Sequence, residues 1–482
     1  MDVDVRFGPF TCIAGANGVG KSNLFDAIAF LGDLAEHTLE DAAKRVRDDG
    51  SHTGDIGAIF HRVGDDQEKI MSFKAEMIIP RTGVDDLGQT AEATSTFLEY
   101  SLELRYRADH EPRSSGAIEI LREDLASISH DDPQKQLGFP GEQSWLHTAI
   151  IGERRVPYFY VSTMVEDDAR IIKVRRDGRS RGKSVERQAA TLPRTVISRI
   201  SAADSPTATL VKREMQAWRR LQLEPSALRR PDLLTEPTTL GSDGSHLPAT
   251  LFNLAQKRYL QDTNGGGTKV YGFVAARLSQ LIDDVRRVDV EKDDTRELLT
   301  LRVGGRDGTM HRARALSDGT LRFLALAVLE LDPEFNGLLC LEEPENGIHP
   351  ARIPAILRLL QDVATDATEP IGPDNPLRQV IVNTHSPAVV AQVPEDSLLS
   401  AETVRVQRDK KLFDKVTFSS LANTWRTRIP GTNVLSKGDL IAYLSSVVLK
   451  ADEDWIETTS EHPSRRVIDN QDIQLALFGA RK

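Results

Sequence analysis

Residues 315–350 read ALSDGTLRFLALAVLELDPEFNGLLCLEEPENGIHP. Ser317, Asp318 and Gly319 form a short turn before an apolar stretch, 321–331, whose spacing predicts a helix. A second apolar run, 337–341, reads as a buried strand, and it ends in Glu342 and Glu343. The helix start offers backbone N–H groups to an anion. The strand end offers two adjacent carboxylates. Taken alone, Ser317 is an ordinary N-cap.

Two distant stretches change that reading. GANGVGKS, residues 15–22, follows a short apolar strand, FTCIAG, and precedes Leu24, Ile28 and Leu31 at helical spacing. Gly15, Gly18 and Gly20 let successive N–H groups, including those near Asn17, curl around a phosphate. Lys21 brings a cation to the β- and γ-phosphates, and Ser22 offers a hydroxyl to Mg²⁺. Asn23 opens the helix beside them and joins the nucleotide-binding set. Farther on, VIVNTHSP (380–387) places His385 at the end of another apolar strand. Beside a phosphate loop, Glu342 suits a Mg²⁺ ligand and Glu343 a base for the attacking water. His385 suits a contact to the γ-phosphate and that water. Ser317, Asp318 and Gly319 then become a second anion-binding helix end, fitted to cover a nucleotide held by another copy of the chain.

The remaining composition sets bounds. The chain has 482 residues, 39% hydrophobic and 28% charged, ordinary for a globular protein of several units. No apolar run approaches a membrane span, and MDVDVRFGPF lacks the basic and apolar regions of a secretory signal. The two cysteines, Cys12 and Cys340, sit in apolar strands and read as small core residues. These features predict a cytoplasmic protein with no membrane contact. A net charge of −11 excludes a generic polyanion binder. The basic segment 170–187 reads either as exposed loop or as a local contact for DNA, RNA or an acidic partner.

Organisation follows from periodicity. Phe73, Ala75, Met77 and Ile79 share one strand face, as do Leu98, Tyr100, Leu102, Leu104 and Tyr106. Further strands are expected at 117–121, 157–162 and 170–175. Residues 186–267 read as a helical insertion closed by a glycine break at 263–267. Residues 270–288 read as one amphipathic helix, followed by a strand at 296–305 and a turn at 306–308. The expected units are an N-terminal lobe (1–185), the insertion (186–267), a C-terminal lobe (268–446) and a loosely packed tail (447–482).

These motifs resemble those of the ABC-type ATPase heads of the SMC, RecF and OLD group, in the AAA-family branch. The resemblance rests on roughly 1–35 and 300–390. It makes GANGVGKS the Walker A loop, LSDGT (316–320) the signature, with Thr320 where glutamine is commoner, and the acidic strand Walker B, with Glu342 where Asp is usual. EEPENGIHP resembles the family's DEPExHLHP, which places Glu345, Asn346 and His349 in the D-loop, and His385 matches the switch histidine. No residue is assigned to the family's Q-loop glutamine.

The resemblance implies an α/β fold: a bilobed P-loop ATPase head with an antiparallel β subdomain and a helical insertion. It implies ATP and Mg²⁺ as cofactors and a homodimer or higher homo-oligomer closed around ATP. It implies a switch that senses DNA or a phage trigger and controls a separate effector, of Toprim or HNH nuclease type, in bacterial defence. The resemblance's nuclease-bearing branch needs a glutamate and an Asp-x-Asp pair on strand ends, and no such constellation is read in 388–482, so no nuclease is expected of this sequence. The competing readings are a RecF-like DNA repair ATPase and an ATP-dependent assembly scaffold with little turnover.

Overall fold

Strands that are apolar on both faces pair in parallel and lie buried, and this rule builds the centre of the molecule. The computed structural model describes residues 2–46, 56–63, 66–107, 117–129, 137–152, 156–177, 184–261, 266–408, 411–448 and 466–469. Its central sheet runs in the order Arg219–Leu221, Gly337–Glu342, Arg378–Thr384, Phe10–Ala14, Leu398–Arg408, Lys411–Ser420, Asn433–Val434. The first five strands are parallel. Lys411–Ser420 returns antiparallel to its predecessor. Phe10–Ala14 is buried at every position.

Register then aligns the strand ends. Leu341 lies opposite both Leu221 and Val382, and Glu342 opposite Asn383. Ala14 lies opposite Thr384 and Ser400. The residues that follow these strands therefore emerge along one edge of the sheet.

A second sheet is antiparallel throughout, in the order Val185–Gln188, Ala169–Val174, Phe159–Glu166, Ile118–Ser127, Phe97–Tyr106, Ile70–Ile78. Alternation puts Leu98, Tyr100, Leu102 and Leu104 on its buried face. Those side chains share a core with Phe30, Leu31 and Leu34 of the helix Lys21–Leu34. Leu24 and Phe25 of the same helix pack instead with Ile13, Cys340 and Ile381 of the central sheet. The helix behind the phosphate loop is thus wedged between both sheets. Each fully buried Leu or Phe there contributes about 1.5–3 kcal/mol.

The opposite face of the central sheet is covered by Asp318–Leu331 and Ile353–Val363. Beyond them lie two helices, Leu247–Gln261 and Gly266–Ser279, and a small sheet of Asp232–Leu233, Leu298–Gly305, Val285–Asp293 and Met310–Arg312. The two helices and the strands Val285–Asp293 and Leu298–Gly305 share the same core cluster.

The structure redraws several expected elements. Residues 270–288 are not one helix: it ends at Ser279, and Val285 starts a strand. Val288 and Val290 face the core on alternate positions there, which a β pairing with Val303 and Leu301 satisfies. Gly266 and Gly267 belong to a helix rather than a break. A Cβ on Gly267 would lie 2.9 Å from the Ala255 carbonyl oxygen, so glycine permits the two helices to approach. Residues 186–267 hold helices, yet they also complete the strand Val185–Gln188 and supply Arg219–Leu221 to the central sheet. Both cysteines are free and buried, and burial pushes both thiols up. The basic segment lies partly outside the described residues, at 178–183. Of the tail, 449–465 and 470–482 lie outside them, while Val467 donates its N–H to the Val393 carbonyl.

Candidate nucleotide site

The loop at 15–20 is shaped by its glycines. A Cβ on Gly15 would sit 2.5 Å from the Ala401 carbonyl oxygen, so no larger residue fits. Gly20 caps the following helix in the left-handed region, at φ 101°. Ala16, Asn17, Gly18 and Asn23 are exposed, whereas Lys21 is buried. The Lys21 ammonium donates to the carbonyls of Gly15 (2.7 Å) and Ala16 (2.8 Å), tying the loop to its own helix. Burial pulls the ammonium down, and Glu343, Glu342 and Glu345 work against that.

Ser22, on the same helix, donates its hydroxyl to Glu342 Oε2 at 3.3 Å. The other carboxylate oxygen of Glu342 is ion-paired to Arg220 at 2.5 Å. Arg220 also reaches Asp26 at 2.6 Å. Ser22 and Asp26 are one helical turn apart. Arg220 therefore fastens the phosphate-loop helix to the acidic strand and fixes the direction of Glu342.

Glu343 leaves the sheet in the left-handed region, at φ 45°, an uncommon conformation for a non-glycine residue. Its N–H donates to the Asn383 carbonyl at 3.0 Å. Its carboxylate meets His385 Nδ1 at 2.6 Å and accepts from Asn346 Nδ2 at 2.7 Å. Burial raises its pKa, but Asn346, His385 and Lys21 outweigh that, and the net shift is downward. Glu345, two residues on, is the reverse case. Only 8% of it is exposed, and burial holds its carboxyl above the usual range. The structure thus joins Lys21, Ser22, Glu342, Glu343 and His385 on one edge.

Ser317 caps Asp318–Leu331, accepting from the Thr320 N–H at 3.2 Å. Asp318 pairs with Arg229, which also donates to the Leu316 carbonyl at 3.0 Å. Ser317 and Asp318 are exposed. Among the described residues, no hydrogen bond joins Ser317 to the phosphate loop. Gly319 does touch the acidic turn: a Cβ there would lie 2.3 Å from the Gly347 carbonyl oxygen. The signature turn and the segment 343–348 are in direct backbone contact.

Two side chains near the acidic strand, on and just after a short edge strand, are not legible in the sequence. Gln222 follows the edge strand Arg219–Leu221, and it lines a cavity of about 220 Å³ with Glu342, Glu343, Asn346 and Arg322. Arg220 is the second. A three-residue strand with two arginines carries no periodic signal, so neither residue stood out.

Fold and site together define an α/β head built around a glycine-rich phosphate loop and an acidic strand end. The chain belongs to the family described as "AAA domain, putative AbiEii toxin, Type IV TA system", whose sequence profile matches residues 10–133 and 162–391. Among solved structures, it is similar to an SMC head bound to the C-terminal winged-helix domain of ScpA. That match has 16% identity and a TM-score of 0.38, covering 87% of this chain and 93% of the other. The Pyrococcus furiosus SMC head with an extended coiled coil, also bound to ScpA, matches at 13% identity and TM-score 0.35, covering 87% and 92%. The Thermotoga maritima SMC head domain matches at 11% identity and TM-score 0.28, covering 86% and 92%. No curated protein matches the chain. No helix among the described residues is long and apolar enough to cross a membrane.

Proposed function

We propose that this protein binds and hydrolyses ATP as a switch, with two heads closing around the nucleotide. One observation carries the reading. Strand register gathers the lysine loop, the paired glutamates and the histidine on a single edge, although they are spread from residue 15 to residue 385. Gly15, Asn17, Gly18, Gly20, Lys21, Ser22 and Asn23 bind the nucleotide. The Ser22 hydroxyl and Glu342 are hard oxygen donors 3.3 Å apart, a set that fits Mg²⁺. When bound, the ion neutralises phosphate charge. Glu343 orients and deprotonates the attacking water, and His385 steadies Glu343 and faces the γ-phosphate. Ser317, Asp318 and Gly319 cover the nucleotide of a partner copy, consistent with the exposure of Ser317 and Asp318.

Glu343→Gln tests the chemical step. The amide keeps the size but cannot accept the proton. Nucleotide affinity should stay near wild type while turnover falls about 10²–10⁴-fold. Wild-type hydrolysis would place the base elsewhere.

Control of a separate effector completes the reading. The family description names a putative toxin of a type IV toxin–antitoxin system, which suits a head that works with a second component. In that setting the head is the ATP-dependent part of a bacterial defence device, responding to DNA or a phage trigger.

A further inference from the structure

The turn after the acidic strand carries two glutamates in opposite roles. Glu343 points toward His385, and Glu345 points inward. The Thr384 hydroxyl donates to Glu345 Oε1. The same hydroxyl accepts the Ser386 N–H at 2.9 Å. The Thr384 carbonyl accepts the Gly15 N–H at 3.3 Å. Thr384 is fully buried, and its neighbours on either side of the bond chain are the phosphate loop and His385. The second oxygen of Glu345 is buried with no hydrogen-bond partner among the described residues. A buried carboxyl half-satisfied in this way is kept at a cost, which calls for a reason.

We propose that Glu345 is a positioning residue. Through Thr384 it fixes the backbone on both sides of His385, and so sets the 2.6 Å contact between His385 and Glu343. The geometry gives the direction of the effect. Ser386 N–H has the Thr384 hydroxyl as its acceptor, so that oxygen bridges the two residues that flank His385. The oxygen is in turn oriented by Glu345. Glu345 also anchors the middle of the segment whose Gly347 touches the signature glycine. One buried carboxyl thereby ties the histidine, the base and the signature contact to a single strand end. The inference rests on Glu343 and His385 acting in hydrolysis as proposed above.

The test uses the full-length protein and measures ATP turnover against ATP concentration. Thr384→Val keeps the shape and removes the hydroxyl. We expect kcat to fall about 10–100-fold, the scale of a slightly misplaced catalytic group, with KM for ATP nearly unchanged. Thr384→Ser restores the hydroxyl and should restore most of kcat. Glu345→Gln retains an acceptor oxygen and should keep most of the rate, whereas Glu345→Ala should behave like Thr384→Val. A folded Thr384→Val with wild-type kcat overturns the proposal, as does Thr384→Ser failing as badly as Thr384→Val. If Thr384→Val does not fold, the Glu345 pair decides: equal losses in Gln and Ala overturn it. Glu343→Gln is run alongside. If that variant hydrolyses ATP normally, the reading of the site fails rather than the positioning role.

Discussion

Lys21 illustrates how a single residue is prepared for its ligand. Its ammonium is buried and held on two carbonyls of its own loop, so the loop is tied to its helix before any phosphate arrives. A phosphate can take over a cation already in place, which limits the ordering cost of binding. Lys21→Ala removes the charge and both loop bonds. Isothermal titration with an ATP analogue should show affinity weakened by about 10²-fold or more, since charge-assisted bonds contribute about 1.5–3 kcal/mol each. Unchanged affinity would remove Lys21 from the site. At this scale the sequence was most legible. Gly15 to Ser22, Glu342, Glu343 and His385 could be picked out because the chemistry demands those residue types beside strands and helix starts. Arg220, Gln222 and Thr384 could not. An arginine on a three-residue edge strand and a threonine ending an apolar strand have many ordinary roles, and only packing distinguishes them.

Among the elements, long segments with strong periodicity were readable and short ones were not. The alternation in Phe97–Tyr106 set both its strand and its buried face. The run Asp318–Leu331 was placed to within three residues. The segment ending at Val288 misled, because apolar residues at 270, 274 and 278 continue smoothly into 281, 282 and 285. Helical and β periods overlap there, and tertiary pairing decides. Contacts between elements were also out of reach, above all the one between the signature turn and the acidic turn. That contact yields its own prediction. Gly319→Ala places a methyl 2.3 Å from a backbone oxygen of Gly347, and neither side has a flexible atom to yield. Overpacking of this kind costs about 1–3 kcal/mol. Thermal unfolding should show a lower melting temperature, and ATP turnover should fall while analogue binding to the Lys21 loop persists. A variant with wild-type stability and turnover would mean that the two turns need not touch.

At the scale of the whole molecule, the helix Lys21–Leu34 is packed between the central and antiparallel sheets, so the phosphate loop rests on a rigid support. Ser317 and Asp318, at the signature end of Asp318–Leu331, face solvent instead. This asymmetry is what a head needs if its own edge holds ATP and its exposed helix end covers the ATP of another copy. In a two-fold dimer each site then takes Lys21 from one chain and Ser317 from the other. Ser317→Arg should leave binding intact but block closure, and Lys21→Ala should block binding, so each variant alone is inactive. A mixed dimer carries both lesions at one site and neither at the other. The most direct measurement is therefore ATP turnover of the two variants, separately and mixed. Closure in trans predicts recovery on mixing to about a quarter of the wild-type rate, from statistical pairing and one intact site per mixed dimer. Full activity of Ser317→Arg alone, or no recovery where mixed dimers are demonstrated, would contradict it.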